Sequence, residues 1–351
     1  MKKRILVAPL NWGLGHATRC IPIINALIKN EFIPVIASDG AALKLLKKEF
    51  PDLDYFELPS YNITYAKNKH LFKLKLLQHS PKLFKIITAE KKVVEHLVET
   101  QAIDGIISDN RLGVYSKNIP CAFITHQLQV LSGSTTWIST KLHLNIIKKF
   151  NECWVPDTKG VKNLSGKLSR QSTKDIKVKY VGPLSRFTKK DRTIKNDILV
   201  LLSGPEPQRC LLEDKLMKEL KVNSRSILFV RGVVEEKITI EKKDNITIYN
   251  FMTSNLLEKS LNESALIISR SGYTTIMDLA KLGKKAFFIP TPGQFEQEYL
   301  AERLDKLGLV PSCKQDDFSL DKLEVISDYK GLFDFEHEIN YNKLFSLFKT
   351  K

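Results

Sequence analysis

Cysteine is scarce in this 351-residue chain: Cys20, Cys121, Cys153, Cys210 and Cys313 are five in number and form no C-x-x-C pair. An odd, scattered set excludes a disulfide framework or a zinc site of paired cysteines and fits reduced thiols in a cytoplasm. No apolar run approaches the ~18–20 residues that cross a bilayer. The opening MKKRILVAPLNWG imitates a secretion signal for a few residues. Polar Asn11 then interrupts it, and no small-residue cleavage site follows. A soluble, cytoplasmic protein is the expectation. Acidic residues are what the first half lacks. Residues 1–190 carry 31 Lys and Arg against 14 Asp and Glu, whereas residues 191–351 carry 24 against 25. The balance is +17 in one half and −1 in the other, which points to an anionic partner of the first half. An anionic membrane surface and a phosphorylated acceptor both fit. Nucleic acid is not expected, because the basic region matches no recognisable module and places few aromatics for stacking.

What is present is strand–helix alternation in two blocks, which suits about two domains for this length. RILVAPL (4–10), IPVIAS (33–38), DYFEL (54–58), GIISD (105–109), CAFITH (121–126) and ECWVP (152–156) are short and apolar on consecutive positions. Strands buried on both faces of a parallel sheet have this composition. DILVLLSG (197–204), SILFVRG (226–232), NITIYN (245–250), ALIISR (265–270) and KAFFIP (285–290) repeat the theme. Helical stretches near 16–29, 136–149, 207–221, 273–282 and 296–307 separate many of them. Two doubly wound α/β domains follow. The polar stretch 183–196 reads as their linker. The expected organisation is a basic first domain over 1–185, a second domain over 186–338, and a final helix over 339–351.

Residues 67–99 read as one long helical region broken or kinked at Pro81. Between Lys67 and Lys92 it holds eight lysines and a single acid, Glu90, interleaved with leucines and phenylalanines. Such a face is either the solvated side of a core helix or a basic amphipathic surface for anionic lipid.

The first strand runs into N-W-G-L-G-H-A-T-R (11–19), where Gly13 and Gly15 permit a sharp turn before a helix. It is not a dinucleotide fingerprint, since no third glycine follows. His16 is the leading candidate for a general base because its ring titrates near neutral pH. Asp109 ends its strand at the carboxyl edge where doubly wound sheets bind ligands, and a bond from it would fix the tautomer of His16. His126, ending the next strand, is the rival base. In the second block, I-S-R-S-G-Y-T-T-I-M-D-L-A (268–280) precedes K-A-F-F-I-P-T-P-G-Q-F-E-Q-E-Y-L-A (285–301). A Ser-Gly turn at Ser271 and Gly272 offers free amides and a helix dipole to a diphosphate. Asp278 follows seven residues on, about 10 Å along the same helix face, a spacing that suits a carboxylate holding ribose hydroxyls.

These two segments resemble the donor-binding region of nucleotide-sugar glycosyltransferases, most closely the MurG-type glycosyltransferase family 28. The resemblance implies the GT-B fold: α/β, with two doubly wound Rossmann-like domains facing a cleft, the basic domain over 1–185 binding the acceptor, the domain over 186–338 binding the UDP-sugar donor, and the helix over 339–351 packing back across the domains. It implies that Phe251 and Met252 form the turn whose backbone reads the uracil edge, and that Glu296 and Gln297 hold the hydroxyls of the donor sugar. Arg231 is a candidate partner for phosphate charge. Where the family has a Gly-Gly-Ser loop, this chain has S-G-P-E-P-Q-R (203–209), so Ser203 and Gly204, candidates with Gly13 and Gly15 for binding the donor, sit in a loop that departs from the family. Identity of sugar and acceptor is therefore not carried over. No metal is expected, because the D-x-D of Asp52 and Asp54 reads as a turn outside the donor domain. The expected activity is an inverting, metal-independent transfer from a UDP-sugar to a lipid-linked or cell-envelope acceptor, peripheral on the inner face of a membrane. A UDP-sugar 2-epimerase of the same fold and a non-catalytic UDP-sugar-binding adaptor are the alternatives.

Overall fold

Consecutive apolar residues produce strands with both faces covered, and Ile5, Leu6, Val7 and Ala8 are fully buried. The structure, a computed structural model, describes residues 2–61, 80–160, 163–170, 174–204, 206–221, 224–332 and 338–349. These fall into two compact units: 2–61, 80–184 and 338–349 form the first, and 185–332 the second.

The first unit runs β1 (Arg4–Pro9), α1 (Gly15–Lys29), β2 (Ile33–Ser38), α2 (Gly40–Glu49), β3 (Tyr55–Glu57) and α3 (Ser80–Thr100). It continues with β4 (Gly105–Asp109), β5 (Cys121–Ile124), α4 (Thr136–Ile147), β6 (Glu152–Val155) and β7 (Val178–Tyr180). Among the described residues the strands make one parallel sheet in the order β3-β2-β1-β4-β5-β6-β7. Winding goes outward from β1 through β2 and returns through β4, so the switch point lies between β1 and β4. The region read as one helix over 67–99 lies outside the described residues up to 79. Its described part, α3, begins at Ser80 with Pro81 as its second residue and runs to Thr100. Phe84 and Leu83 on α3 are exposed, while the lone acid Glu90 is fully buried.

The last residues form two short turns, α9 (Tyr341–Leu344) and α10 (Ser346–Lys349), that belong to the first unit. Phe345 and Phe348 are fully buried there. Phe348 meets the Phe32 and Trp154 rings edge-on, and a Cβ on Gly105 would lie 2.5 Å from it.

The second unit contains β8 (Asn196–Leu201), α5 (Gln208–Leu220), β9 (Ile227–Val230), β10 (Ile240–Lys243), β11 (Ile246–Tyr249) and α6 (Ser254–Asn262). β12 (Ser264–Ser269), α7 (Tyr273–Leu282), β13 (Lys285–Phe288) and α8 (Phe295–Lys306) follow. The sheet order is β10-β11-β9-β8-β12-β13, parallel except for the β10–β11 hairpin. Leu212, Leu216 and Leu220 of α5 recur at helical spacing and are fully buried against this sheet. Its switch point lies between β8 and β12.

Candidate functional site

In the first unit Pro9, ending β1, is in register with Asp109, ending β4. The carboxyl edge at such a switch point is where doubly wound sheets bind ligands. Gly13 turns the chain with φ +70°, and His16 enters in the first turn of α1. Its Nδ1 lies 2.7 Å from Asp109 Oδ1, so the two residues 93 positions apart meet as the sequence reading expects. Arg19, one turn further along α1, donates to both oxygens of Asp109. Its Nη2 is 2.9 Å from His16 Nδ1, and its Nη1 is 3.3 Å from His126 Nδ1. His126 is buried beside this guanidinium. Arg19 is a site residue that the sequence reading missed. The signal was its i+3 position from His16, which puts both side chains on one helix face.

The charges are set by burial and by Arg19. Burial by itself would raise the Asp109 carboxyl, but Arg19 and then His16 more than offset it and hold the group at about 2. Burial lowers the His16 pKa below its ordinary value, Arg19 lowers it further, and Asp109 opposes both. His16 is therefore neutral at physiological pH. Its side chain is 15% exposed, so the imidazole still reaches solvent. With Nδ1–H donated to the ionised Asp109, the free lone pair is on Nε2, the form a general base requires.

Behind this edge a second buried network holds the loop. Arg111 donates to Asp39 Oδ1 at 2.8 Å, Glu90 Oε1 at 2.6 Å and the Pro59 carbonyl at 2.6 Å. Tyr61 donates to Glu90 Oε2 at 2.5 Å. Asp39 also accepts from Asn11 Nδ2 at 3.0 Å, and Asn11 Oδ1 accepts from the Ala42 amide at 3.2 Å. Asp39 stands at the N-cap position of α2 without capping it through its side chain; Asn11, from the loop before His16, serves that first turn instead.

In the second unit Ser269, ending β12, is in register with Leu201, ending β8. The two loops that follow, Ser203–Gly204 and Ser271–Gly272, therefore leave adjacent strands at the switch point. Gly204 has φ +103°, a conformation that excludes a side chain. Gly272 has ordinary extended φ, and a Cβ there would meet nothing closer than Thr275 Oγ1 at 3.9 Å. Neither backbone strain nor packing within the unit demands this glycine, which suits close approach by a ligand to the α7 amides. Ser271 Oγ donates to the Gln297 carbonyl at 2.8 Å, and Gln297 Oε1 accepts from the Thr291 amide at 2.8 Å. Gln297 thus braces the loop before α8, and Glu296 lies beside it in the first turn. Arg270, also unanticipated, is buried and ties β12 to the carbonyls of Gln208, Ile289 and Pro290 and to Gln315.

Asp278 is buried on α7 and accepts from Ser185 Oγ at 2.7 Å. Burial raises its pKa to about 6, against the opposing pull of Arg186 and Ser185. Phe251 and Met252 are buried, with the Phe251 amide bonded to Asn250 Oδ1 at 2.9 Å. Arg231 is already engaged: Glu213 accepts from its Nε at 2.6 Å and Glu241 from Nη1 at 3.4 Å. It is held in an acidic setting, and among the described residues no side-chain bond joins it to the Ser-Gly loops. Asp54, in the turn before β3, accepts from Arg4 at 2.8 Å.

Residues 209–328 match the model of the glycosyltransferase family 28 C-terminal domain. Over those residues the chain is similar to glycosyltransferase family 28. With the paired doubly wound units, this makes it a glycosyltransferase of the GT-B type. The enzyme is 39% identical over 62 residues to the UDP-N-acetylglucosamine--N-acetylmuramyl-(pentapeptide) pyrophosphoryl-undecaprenol N-acetylglucosamine transferase of Methylobacterium radiotolerans, a stretch covering 17% of either protein. It is 23% identical over 305 residues to an uncharacterized glycosyltransferase of Methanopyrus kandleri, covering 79% of this chain and 82% of that one. The solved glycosyltransferase SnogD from Streptomyces nogalater shares the fold with a TM-score of 0.61 at 14% identity, covering 95% of this chain and 92% of its own. Within this glycosyltransferase the matched stretch includes Arg231, Phe251, Met252, Ser271, Gly272, Asp278, Glu296 and Gln297. Ser203, Gly204 and the whole His16–Asp109 constellation lie outside it.

Proposed function

We propose that this glycosyltransferase transfers a sugar from a UDP-sugar with inversion and without a metal ion, to a lipid-linked or cell-envelope acceptor. The observation that carries this reading is the 2.7 Å contact of His16 with Asp109 at a sheet switch point. A neutral imidazole there takes the proton of an acceptor hydroxyl on Nε2. The oxygen attacks the anomeric carbon as the bond to UDP breaks, and UDP leaves with the electron pair. One displacement needs one base and gives inversion. The α7 amides and the positive end of its dipole would offset charge on the leaving diphosphate. The Methylobacterium relative is named for a UDP-sugar donor and an undecaprenol-linked acceptor, which supports the donor class and the acceptor chemistry.

A thermal-shift and calorimetric panel of UDP, GDP and dTDP sugars, with and without EDTA, tests the donor. UDP-sugars are expected to stabilise the enzyme most, unaffected by EDTA. Asp278→Ala is expected to weaken UDP binding by about 1.5–3 kcal/mol, the scale of a hydrogen bond to a charged group. A carboxylate accepts both ribose hydroxyls and its protonated form does not. Wild-type affinity for a UDP-sugar, whose doubly esterified diphosphate does not titrate in this range, should therefore rise with pH through about 6, while the Asp278→Ala variant stays flat. Unchanged affinity in the folded variant removes Asp278 from the site. C2 inversion with UDP release in the absence of acceptor would move the assignment to an epimerase.

The membrane part of the proposal rests on the +17 half and on exposed Leu83 and Phe84 beside Lys85. Each lysine near an anionic surface contributes ~1 kcal/mol, so four of the eight would give reversible docking. Co-sedimentation with phosphatidylglycerol vesicles should be strong at low salt and weak at high salt. It should fall when Lys73, Lys75, Lys82 and Lys85 are replaced by Glu. Absence of low-salt binding by the wild-type protein defeats the membrane reading and leaves the transferase assignment intact.

A further inference from the structure

We propose that Arg19 is a positioning residue that fixes the charge state of His16, keeping its imidazole a neutral acceptor at Nε2. A carboxylate buried beside an imidazole ordinarily recruits a proton to it, because an imidazolium–carboxylate pair is neutral as a whole. Here the Asp109 charge is already matched. Arg19 is 2% exposed, donates to both carboxylate oxygens, and cannot lose its own proton at accessible pH. Arg19, Asp109 and neutral His16 together carry no net charge. Protonating His16 would leave a net positive charge in a buried cluster, with the guanidinium 2.9 Å from Nδ1.

The other groups facing this cluster do not change that balance. From beyond β5, His126 lies 3.3 Å from Arg19 and disfavours a second cation near His16. From α1, Cys20 Sγ donates to Asp109 Oδ2 at 3.7 Å, and burial holds its thiol protonated. The positions follow from the fold: α1 sets His16 and Arg19 three residues apart on one face, and β4 brings Asp109 beneath both. Arg19 thus selects between a neutral base and an ion-paired imidazolium that could not accept a proton.

The proposal rests on the reading of His16 as the base, but its primary test does not use activity. NMR titration of the histidine ring resonances, with His16 assigned by a His16→Gln variant, reads the charge state directly. Wild-type His16 should titrate below the ordinary value of about 6.5. Arg19→Met should raise that midpoint by at least about one pH unit, and Arg19→Lys, which keeps the charge, should leave it near wild type. The acid limb of kcat against pH should move up by the same amount in Arg19→Met, with turnover recovering toward pH 9. A wild-type His16 midpoint at or above 6.5 overturns the proposal even if Arg19→Met fails to fold, and so does a midpoint that ignores loss of the guanidinium. A midpoint that shifts as expected while the kcat profile stays put supports Arg19 in this role and instead overturns His16 as the base.

Discussion

Replacing His16 with Ala is expected to lower kcat by about 10²–10⁴-fold, the usual contribution of a positioned base. That corresponds to about 3–5.5 kcal/mol of barrier. UDP affinity should stay near wild type, because in the proposed mechanism His16 acts on the acceptor hydroxyl and the UDP contacts are made by the Ser-Gly loops and Asp278. The loss then sits in kcat, as expected for an interaction made only in the transition state. The pH dependence carries a second signature. A base must be unprotonated to act, so wild-type turnover should rise with pH through the lowered pKa of His16 and level off by neutrality. The residual activity of the Ala variant should lack that limb. Asp109→Asn is a less clean control: it leaves the Arg19 guanidinium buried without its carboxylate, and breaking such a pair costs about 3–5 kcal/mol of stability. Near-normal turnover by His16→Ala would transfer the role to His126, the next imidazole along the same edge.

Arg111→Met is expected to destabilise the first unit by about 3–5 kcal/mol in urea unfolding, the range for removing one partner of a buried ion pair. The guanidinium is fully buried and serves Asp39 and Glu90 together, so its removal strands two carboxylates from different elements. Burial already raises the Glu90 pKa, against the pull of Arg111 and Tyr61. Without Arg111 that carboxyl should bind its proton more tightly still. A group whose folded pKa lies above its unfolded value favours the folded state as pH falls. The gap between variant and wild type should accordingly narrow from pH 7.5 to pH 5.5. A gap below about 1 kcal/mol at pH 7.5 would place the network with ordinary surface ion pairs.

Much of the architecture was legible because doubly wound sheets are written in consecutive apolar runs. RILVAPL, GIISD and ALIISR could be buried only as central strands, and the structure puts each beside a switch point. By contrast β10, with the sequence IEKK, is exposed along its length and shows no alternation that marks a strand. It forms because a turn at Asp244, with φ +54°, folds it back on β11. β7 is three residues long, too short for periodicity to register. The ends of the chain were also legible only in part: a terminal helix is visible in the sequence, but its partners Phe32, Gly105 and Trp154 are not.

By itself the sequence determined the two α/β blocks, the basic first half, the Ser-Gly turn with an acid two helical turns on, and the candidacy of His16 and Asp109. Those features depend on local spacing and on summed charge, which the chain carries whether folded or not. Tertiary structure alone decided what each charge faces. Arg231 went to Glu213 and Glu241, Asp278 to Ser185, Asp39 to Arg111, and Arg19 to Asp109 and His16. A buried charge must find an opposite charge or hydrogen-bond partners wherever the fold brings them within reach. Those partners lie between 10 and 93 residues away, apart from the His16–Arg19 pair within one helix turn, and no local pattern encodes such distances.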